Sequence, residues 1–576
     1  MVTTADGKQI VAADPERDQI YFVDAVGMNK LHTRELNGGD EPGRVVEDAA
    51  GRIHVVLRGA NAIATLGTDP DSTITRRDVC AVPRGIAYDR ARDQLHIACG
   101  EGKLLTLKAA PAETTPVRTL RLDSDLRDVL VRDDKLFVSR FRAAELIVLS
   151  GEGDVLERHS PARFASVEAR NVAERSPTTG VCSSTQTMVN VESIPNVAWR
   201  VIDVPAQGVT MLHQRSRTEE IQITRGGYGN NKGCGGGIVE VSMTKGLDTD
   251  APSTADLKLL ALAVDIAADP SGQLLAVVAP GNHGGLTQVE IEQLQFGSEM
   301  DLESGPISDD RGLAPCMTGR GLPDPQGQAT AVTFVSADTL AVQTREPAAI
   351  SFYDLHSSTL RKSVSLDNTS TLDTGHTVFH VRTGAGLACA SCHPEAGDDG
   401  HVWTFQGIGP RRTQTLRGGL LGTEPLHWNG DMKDFSTLMS EVFVGRMSGF
   451  QPSAAEAEAL ADWLDSQPAL HAPASDTAAA ERGRLLFEST QVGCATCHAG
   501  DHLTNNMTVN VNTGADLQVP SLKGVRFRSP LMHDGCAADL KERLTDATCG
   551  GGDDHGHTSQ LSPEELSDLV AYLETL

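Results

Sequence analysis

The chain has 576 residues, enough for three or four domains at about 150 residues each, or for one large repeat domain plus smaller units. Its formal net charge of −27 argues against nucleic acid or an anionic membrane as a partner and favours one that presents a basic patch. No apolar run reaches the roughly 18 residues of a membrane-spanning helix, so no membrane span is expected.

The first 370 or so residues repeat one theme. A small or apolar run leads to a turn rich in Asp, Gly and Arg, and a β-type run follows. Seven copies have core strands near Gln19–Asp24, Arg52–Leu57, Gln94–Ala98, Lys135–Ser139, Val209–His213, Gln273–Val278 and Thr339–Thr344. One small sheet cannot bury both of its faces, so such repeats stack around a ring or pack as sandwiches. The regular spacing favours an all-β seven-bladed propeller over residues 1–368. The phrase Pro83-Arg-Gly-Ile-Ala-Tyr-Asp89 before a strand resembles the YVTN-type propellers. An insertion near 160–193 and the glycine-rich loops Gly226–Gly237 and Gly281–Gly285 are expected to decorate one face. His213 and His283 read as surface or structural, and the propeller reads as a docking unit.

Ser, Thr, Asp and Asn crowd Ser363–Asp373, which marks a linker. Beyond it, Cys389-Ala-Ser-Cys392-His393 recurs as Cys494-Ala-Thr-Cys497-His498. Both are C-x-x-C-H signatures of covalent haem c attachment, in which two thiols bond the porphyrin and the histidine ligates iron. A redox C-x-x-C needs no following histidine, and a zinc ribbon needs its second C-x-x-C far closer. Two covalently bound haem c groups are therefore expected, with His393 and His498 as proximal metal ligands. Such attachment belongs to the exported compartment, periplasmic or outer cell surface. The stretch from Met1 to Lys8 is not a leader, so one is expected to have been removed or left out.

The signatures lie inside a longer repeat. Gly375-His-Thr-Val-Phe379 precedes the first and Gly483-Arg-Leu-Leu-Phe487 the second. His427-Trp-Asn-Gly430 follows the first and Met532-His-Asp-Gly535 the second. Cys389 precedes Gly430 by 41 residues, as Cys494 precedes Gly535. Each unit closes on a capping box, Ser453/Glu456 and Ser562/Glu565, with helices at Ala454–Ser466 and Pro563–Thr575. The pattern predicts two mainly α cytochrome-c-like domains, 374–472 and 476–576, related by duplication.

Over residues 374–576 the order Gly-x-x-x-Phe, C-x-x-C-H, Pro-Ser-Leu-x-Gly-Val, Ser-Pro-Leu-x-His-Asp-Gly resembles the di-haem cytochrome c peroxidases, which include the MauG-type enzymes. The resemblance implies peroxide chemistry at the first haem, electron transfer at the second, and a small redox protein as electron donor. It implies that Trp428 bridges the haems. A MauG-like oxidation of a protein partner's side chain and a non-enzymatic electron carrier are the alternatives. The sequence departs from the family at Leu438 and Arg446, which replace its pocket glutamine and glutamate. Glu441 is the nearest replacement acid, and Arg446 can stabilise a leaving hydroxide; Arg411, Arg412 and His401 are further candidates. Met447 stands either as a sixth ligand of the first iron or as packing. For the second iron the candidate ligands are His555, then His557, then His533. The family's calcium ligands fall on Arg412 and Arg528, cations that cannot hold calcium, so none is expected.

Seven of the 11 cysteines remain after haem attachment. Proximity pairs Cys80 with Cys99, Cys182 with Cys234 and Cys536 with Cys549, leaving Cys316.

Overall fold

The computed structural model describes residues 1–175, 182–229, 237–257, 260–281, 288–292, 320–323 and 325–576. Among them, six four-stranded antiparallel sheets and one five-stranded sheet follow one another along the chain. Strands of successive sheets neighbour one another around a ring, and Ala329–Ser336 of the last sheet lies against Val2–Thr3 of the first. This is a propeller-like β region. Each core strand read from the repeats is an inner member of its own sheet, from Gln19–Asp24 to Thr339–Thr344. Those strands are almost wholly buried because sheets stack on both of their faces.

Three sheets bury a histidine that bonds a threonine of the next strand: His54 to Thr65 (2.9 Å), His96 to Thr106 (3.0 Å) and His213 to Thr244 (2.9 Å). Burial pushes all three imidazoles down to about 4, so they pack as neutral rings. His213 is thus a structural residue; His283 lies outside the described residues.

The insertion becomes two long paired strands, Phe164–Arg175 and Cys182–Val204, which enlarge the fifth sheet to five strands. The disulfides Cys80–Cys99 and Cys536–Cys549 form as expected. Cys234 and Cys316, and the side chain of Cys182, lie outside the described residues.

After the last strand, Thr359–Ser365, the chain turns helical. Asp373 caps the helix Thr374–His380 by accepting from the His376 backbone N–H (3.0 Å). Both capping boxes are present, on helices Ala454–Asp465 and Pro563–Leu573. The motif glycines explain how these helices cross. A Cβ on Gly375 would fall on the Ala459 carbonyl, and one on Gly483 on the Asp568 carbonyl. The same Gly-x-x-x-Phe crossing therefore occurs twice. No described helix is long and apolar enough to cross a membrane.

One apolar cluster runs from the β region into the helical region, joining Trp199, Leu212 and Leu262 to Phe379, Leu387 and Phe443. Buried ions border it. Glu395 meets Arg127 (2.5 Å), Arg58 (3.3 Å) and Arg84 (3.5 Å), and Asp398 meets Arg142 (2.8 Å) and Arg412 (2.6 Å).

Candidate cofactor cavity

Cys389–Cys392 form one helical turn. The Ala388 N–H donates to the Ser391 hydroxyl (3.0 Å), which donates in turn to the Ala261 carbonyl of the β region (2.9 Å). That chain of bonds locks the first signature onto the β region. The His393 N–H donates to the Cys389 carbonyl (2.9 Å), and its ring Nδ1 donates to the Gly397 carbonyl at 3.2 Å. The second signature repeats the design. His498 bonds the Cys494 carbonyl through its N–H (3.0 Å) and the Leu503 carbonyl through Nδ1 (3.2 Å). A carbonyl on Nδ1 sets the tautomer and leaves Nε2 as the lone-pair edge. Burial pushes His393 down, and His498 to about 4, which keeps both rings in the neutral, coordinating form at neutral pH.

The four signature thiols are unpaired, whereas Cys80, Cys99, Cys536 and Cys549 are all in disulfides. Burial pushes Cys389 up to about 12 and Cys494 to about 11. One cavity of about 610 Å³ touches both thiol–imidazole sets. Its size is in the range of cofactor sites. Arg411, Arg412, Arg417, Arg528 and Arg543 also line it, among mostly apolar neighbours. The site offers, twice, two thiols and one oriented imidazole: donors that can bond a cofactor covalently and coordinate its metal.

Trp428 lines this cavity between the two halves. Its indole N–H donates to the Arg412 carbonyl (2.6 Å), its carbonyl accepts from the Gln518 N–H (2.7 Å), and its ring lies 6.3 Å from that of His533. Arg446 and Met447 line the first half, at the end of a π-helix over Met439–Arg446. Single π turns are frequent at functional sites. Glu441, the replacement acid expected from the sequence, is exposed and does not line the cavity. The lining positions recur at 435, 438, 439, 442, 443 and 446, and 441 falls off that face. His401 is buried away from the cavity beside Trp403, its Nε2 facing the Arg217 carbonyl (3.3 Å).

In the second half, His555 lines the cavity with its ring centroid 5.9 Å from that of His498, and Arg543 touches its Nδ1. His557 is exposed beside Asp553, and His533 is buried but does not line the cavity. Between the halves, Arg412 pairs with Asp398, and Arg528 donates to the Ser521 and Lys523 carbonyls. Sequence reasoning missed Tyr228 and Ile238, cavity residues supplied by the β region. A signal was there: one of only 5 tyrosines stands inside the glycine run from Gly226.

Fold and site define the class: a propeller-like β region joined to a helical region that resembles the di-haem cytochrome c peroxidases and MauG. Among curated relatives, the chain is 27% identical over 257 residues to hydrazine synthase subunit gamma of Kuenenia stuttgartiensis, covering 33% of this chain and 72% of that one. It is 31% identical over 121 residues to methylamine utilization protein MauG of Methylorubrum extorquens (17% and 34%). It is 36% identical over 74 residues to the cytochrome-c peroxidase IdrP1 of Denitromonas iodatirespirans (12% and 20%). The chain thus spans well under two thirds of the last two. No family model matches it. Among solved structures, a chain of Kuenenia stuttgartiensis hydrazine synthase is 22% identical at a TM-score of 0.32, covering 35% of this chain and 86% of that one. A streptogramin B lyase is 12% identical at 0.36, covering 59% and 89%.

Proposed function

We propose that this chain is an exported di-haem c-type oxidoreductase. Hydrogen peroxide is reduced in the half of the cavity bounded by Cys389, Cys392 and His393. Electrons from a small redox protein enter through the half bounded by Cys494, Cys497 and His498. The single observation that carries this reading is the shared cavity, in which two sets of unpaired thiols and carbonyl-oriented imidazoles flank Trp428. When bound, haem would supply the redox chemistry, an iron that exchanges electrons.

The remaining residues divide the work. His555 faces His498 at 5.9 Å between centroids, and two imidazoles sharing one metal through bonds of about 2 Å stand about 6 Å apart. His555 would therefore hold the second iron together with His498, which suits electron transfer. In the first half an iron would be held by His393 and left open to an exogenous ligand. Met447, packed into the apolar cluster, is wall in this reading, and Arg446 is the cation placed to stabilise negative charge on a leaving oxygen. Trp428 bridges the halves, and the lining arginines meet propionates. We count the five-stranded sheet as the fifth of seven blades, and assign 374–472 and 476–576 as the two c-type domains.

The exposed position of Glu441, off the cavity, favours a second reading, oxidation of a protein partner's side chain, because it leaves Asp431 as the carboxylate lining that half in place of the acid expected to serve peroxide turnover.

Haem counting by the pyridine haemochrome, followed by electron paramagnetic resonance of the fully oxidised and half-reduced protein, tests the proposal. Two haems and one high-spin ferric signal are expected. Two low-spin ferric signals in the oxidised protein, with no high-spin ferric signal in either state, would make the chain an electron carrier. A high-spin signal without peroxide turnover in the presence of an artificial donor would select the protein-substrate reading.

A further inference from the structure

The first half of the cavity is not built by the helical region alone. The chain entering the glycine-rich loop bonds the hairpin Val402–Phe405/Gly409–Arg412: the Ile221 N–H donates to the Thr404 carbonyl (2.7 Å), and the Gln406 N–H to the Ile221 carbonyl (3.0 Å). The Gly226 N–H then donates to the Gly445 carbonyl (2.8 Å), and the Tyr228 N–H to the Arg446 carbonyl (3.1 Å). The Ile238 N–H donates to the Tyr228 carbonyl (2.9 Å). The glycines make this fit possible. A Cβ on Gly229 would stand 3.0 Å from the Ala385 Cα, and one on Gly237 would strike Leu387. Residues 226–229 and 237–238 are thus pinned to the segment before the first signature and to the end of the π-helix.

Pinned there, Tyr228 lines the cavity, with its hydroxyl 3.4 Å from Arg446 Nη1 and its ring 6.1 Å from that of Phe405. Most of the rest of that wall, Phe435, Leu438, Met439, Val442, Phe443 and Met447, is apolar, and the carboxylate of Asp431 also lines the cavity, near enough to Arg446 to feel its charge. A phenol and a guanidinium in contact on a mostly apolar wall can donate hydrogen bonds to a small polar ligand there. They come from elements other than His393–Gly397, which carries the proposed proximal ligand.

We infer that the β region completes the first site, with Tyr228, held beside Arg446, donating its hydroxyl to the exogenous ligand bound in that half of the cavity. The inference rests on the proposed open position of the first haem. It gives the propeller a role inside the site rather than only at a docking surface.

The probe is fluoride, titrated into the oxidised holoprotein and followed by its charge-transfer absorption band. Tyr228→Phe keeps the ring and removes the donor. Its fluoride affinity should fall about tenfold, the worth of one hydrogen bond to a charged acceptor, with haem content and the second haem's low-spin signal unchanged. Arg446→Leu should weaken fluoride as well, and the double variant should lose less than the sum, because the two donors act as a pair. If wild type binds fluoride and Tyr228→Phe binds it equally well, this inference fails and the open site stands. If wild type binds no fluoride in either the oxidised or the half-reduced state, the open-site reading fails and takes this inference with it.

Discussion

At the residue scale, the cavity assigns unlike tasks to side chains of similar type. His393 and His498 are held the same way, by a backbone carbonyl on Nδ1, whereas His555 and His557, two residues apart, face the cavity and the solvent respectively. His555→Ala should therefore turn the second iron from low-spin to high-spin in electron paramagnetic resonance with both haems retained. His557→Ala should leave the spectrum unchanged. An unaltered low-spin signal in His555→Ala would remove it as a ligand. Trp428 is anchored in both halves, through its indole N–H to Arg412 and its carbonyl to Gln518. Trp428→Phe should slow electron transfer between the haems at least several-fold, read by stopped-flow reduction, without loss of either haem. Equal rates would reduce Trp428 to packing.

At the element scale, the helix crossings depend on glycines whose missing Cβ lets two backbones touch. Gly483→Ala places a methyl group on the Asp568 carbonyl, and the helices Thr477–Glu488 and Pro563–Leu573 must part. Overpacking of this kind costs about 1–3 kcal/mol. Thermal unfolding should show the loss, and Ser562→Ala, which removes only a cap, should cost about 1 kcal/mol. The Gly-x-x-x-Phe motifs were legible as a repeat, though not as crossings, and the core strands as short β-type runs, because both are local patterns repeated along the chain. The capping boxes were legible for the same reason. The placement of Glu441 off the lining face was not legible, because nearness in sequence does not decide which face of a π-helix a side chain takes. Tyr228 was missed because it enters the cavity from a sheet loop 218 residues away from Arg446, a separation no periodicity reports.

At the scale of the whole molecule, buried ion clusters hold the β and helical regions together, and they define how the protein should fail in acid. Glu395 and Asp398, just past the first signature, face Arg58, Arg84, Arg127 and Arg142 of the β region. Replacing Glu395 by Gln would strip Arg127 of its carboxylate, while Arg58 keeps Glu41 (2.8 Å) and Arg84 keeps Asp125 (2.7 Å). Stranding buried charge in this way costs about 3–5 kcal/mol, so Glu395→Gln should lower the melting temperature and expose the interface to limited proteolysis. Within the ring of sheets, Asp128 is buried, which opposes its ionisation. Arg44 at 3.1 Å and Arg200 at 3.1 Å nonetheless hold its carboxyl down to about 2. An unfolded aspartate titrates near 3.9, so the folded state binds its proton later than the unfolded state does. The stability Asp128 contributes, about 2 kcal/mol, is fully present above about pH 4 and is lost as pH falls from there toward 2. Asp128→Asn should remove that contribution at neutral pH, leaving unfolding by urea less dependent on pH between 4 and 2 than in wild type. A variant that kept the full acid dependence would show that carboxylates elsewhere set the acid limit.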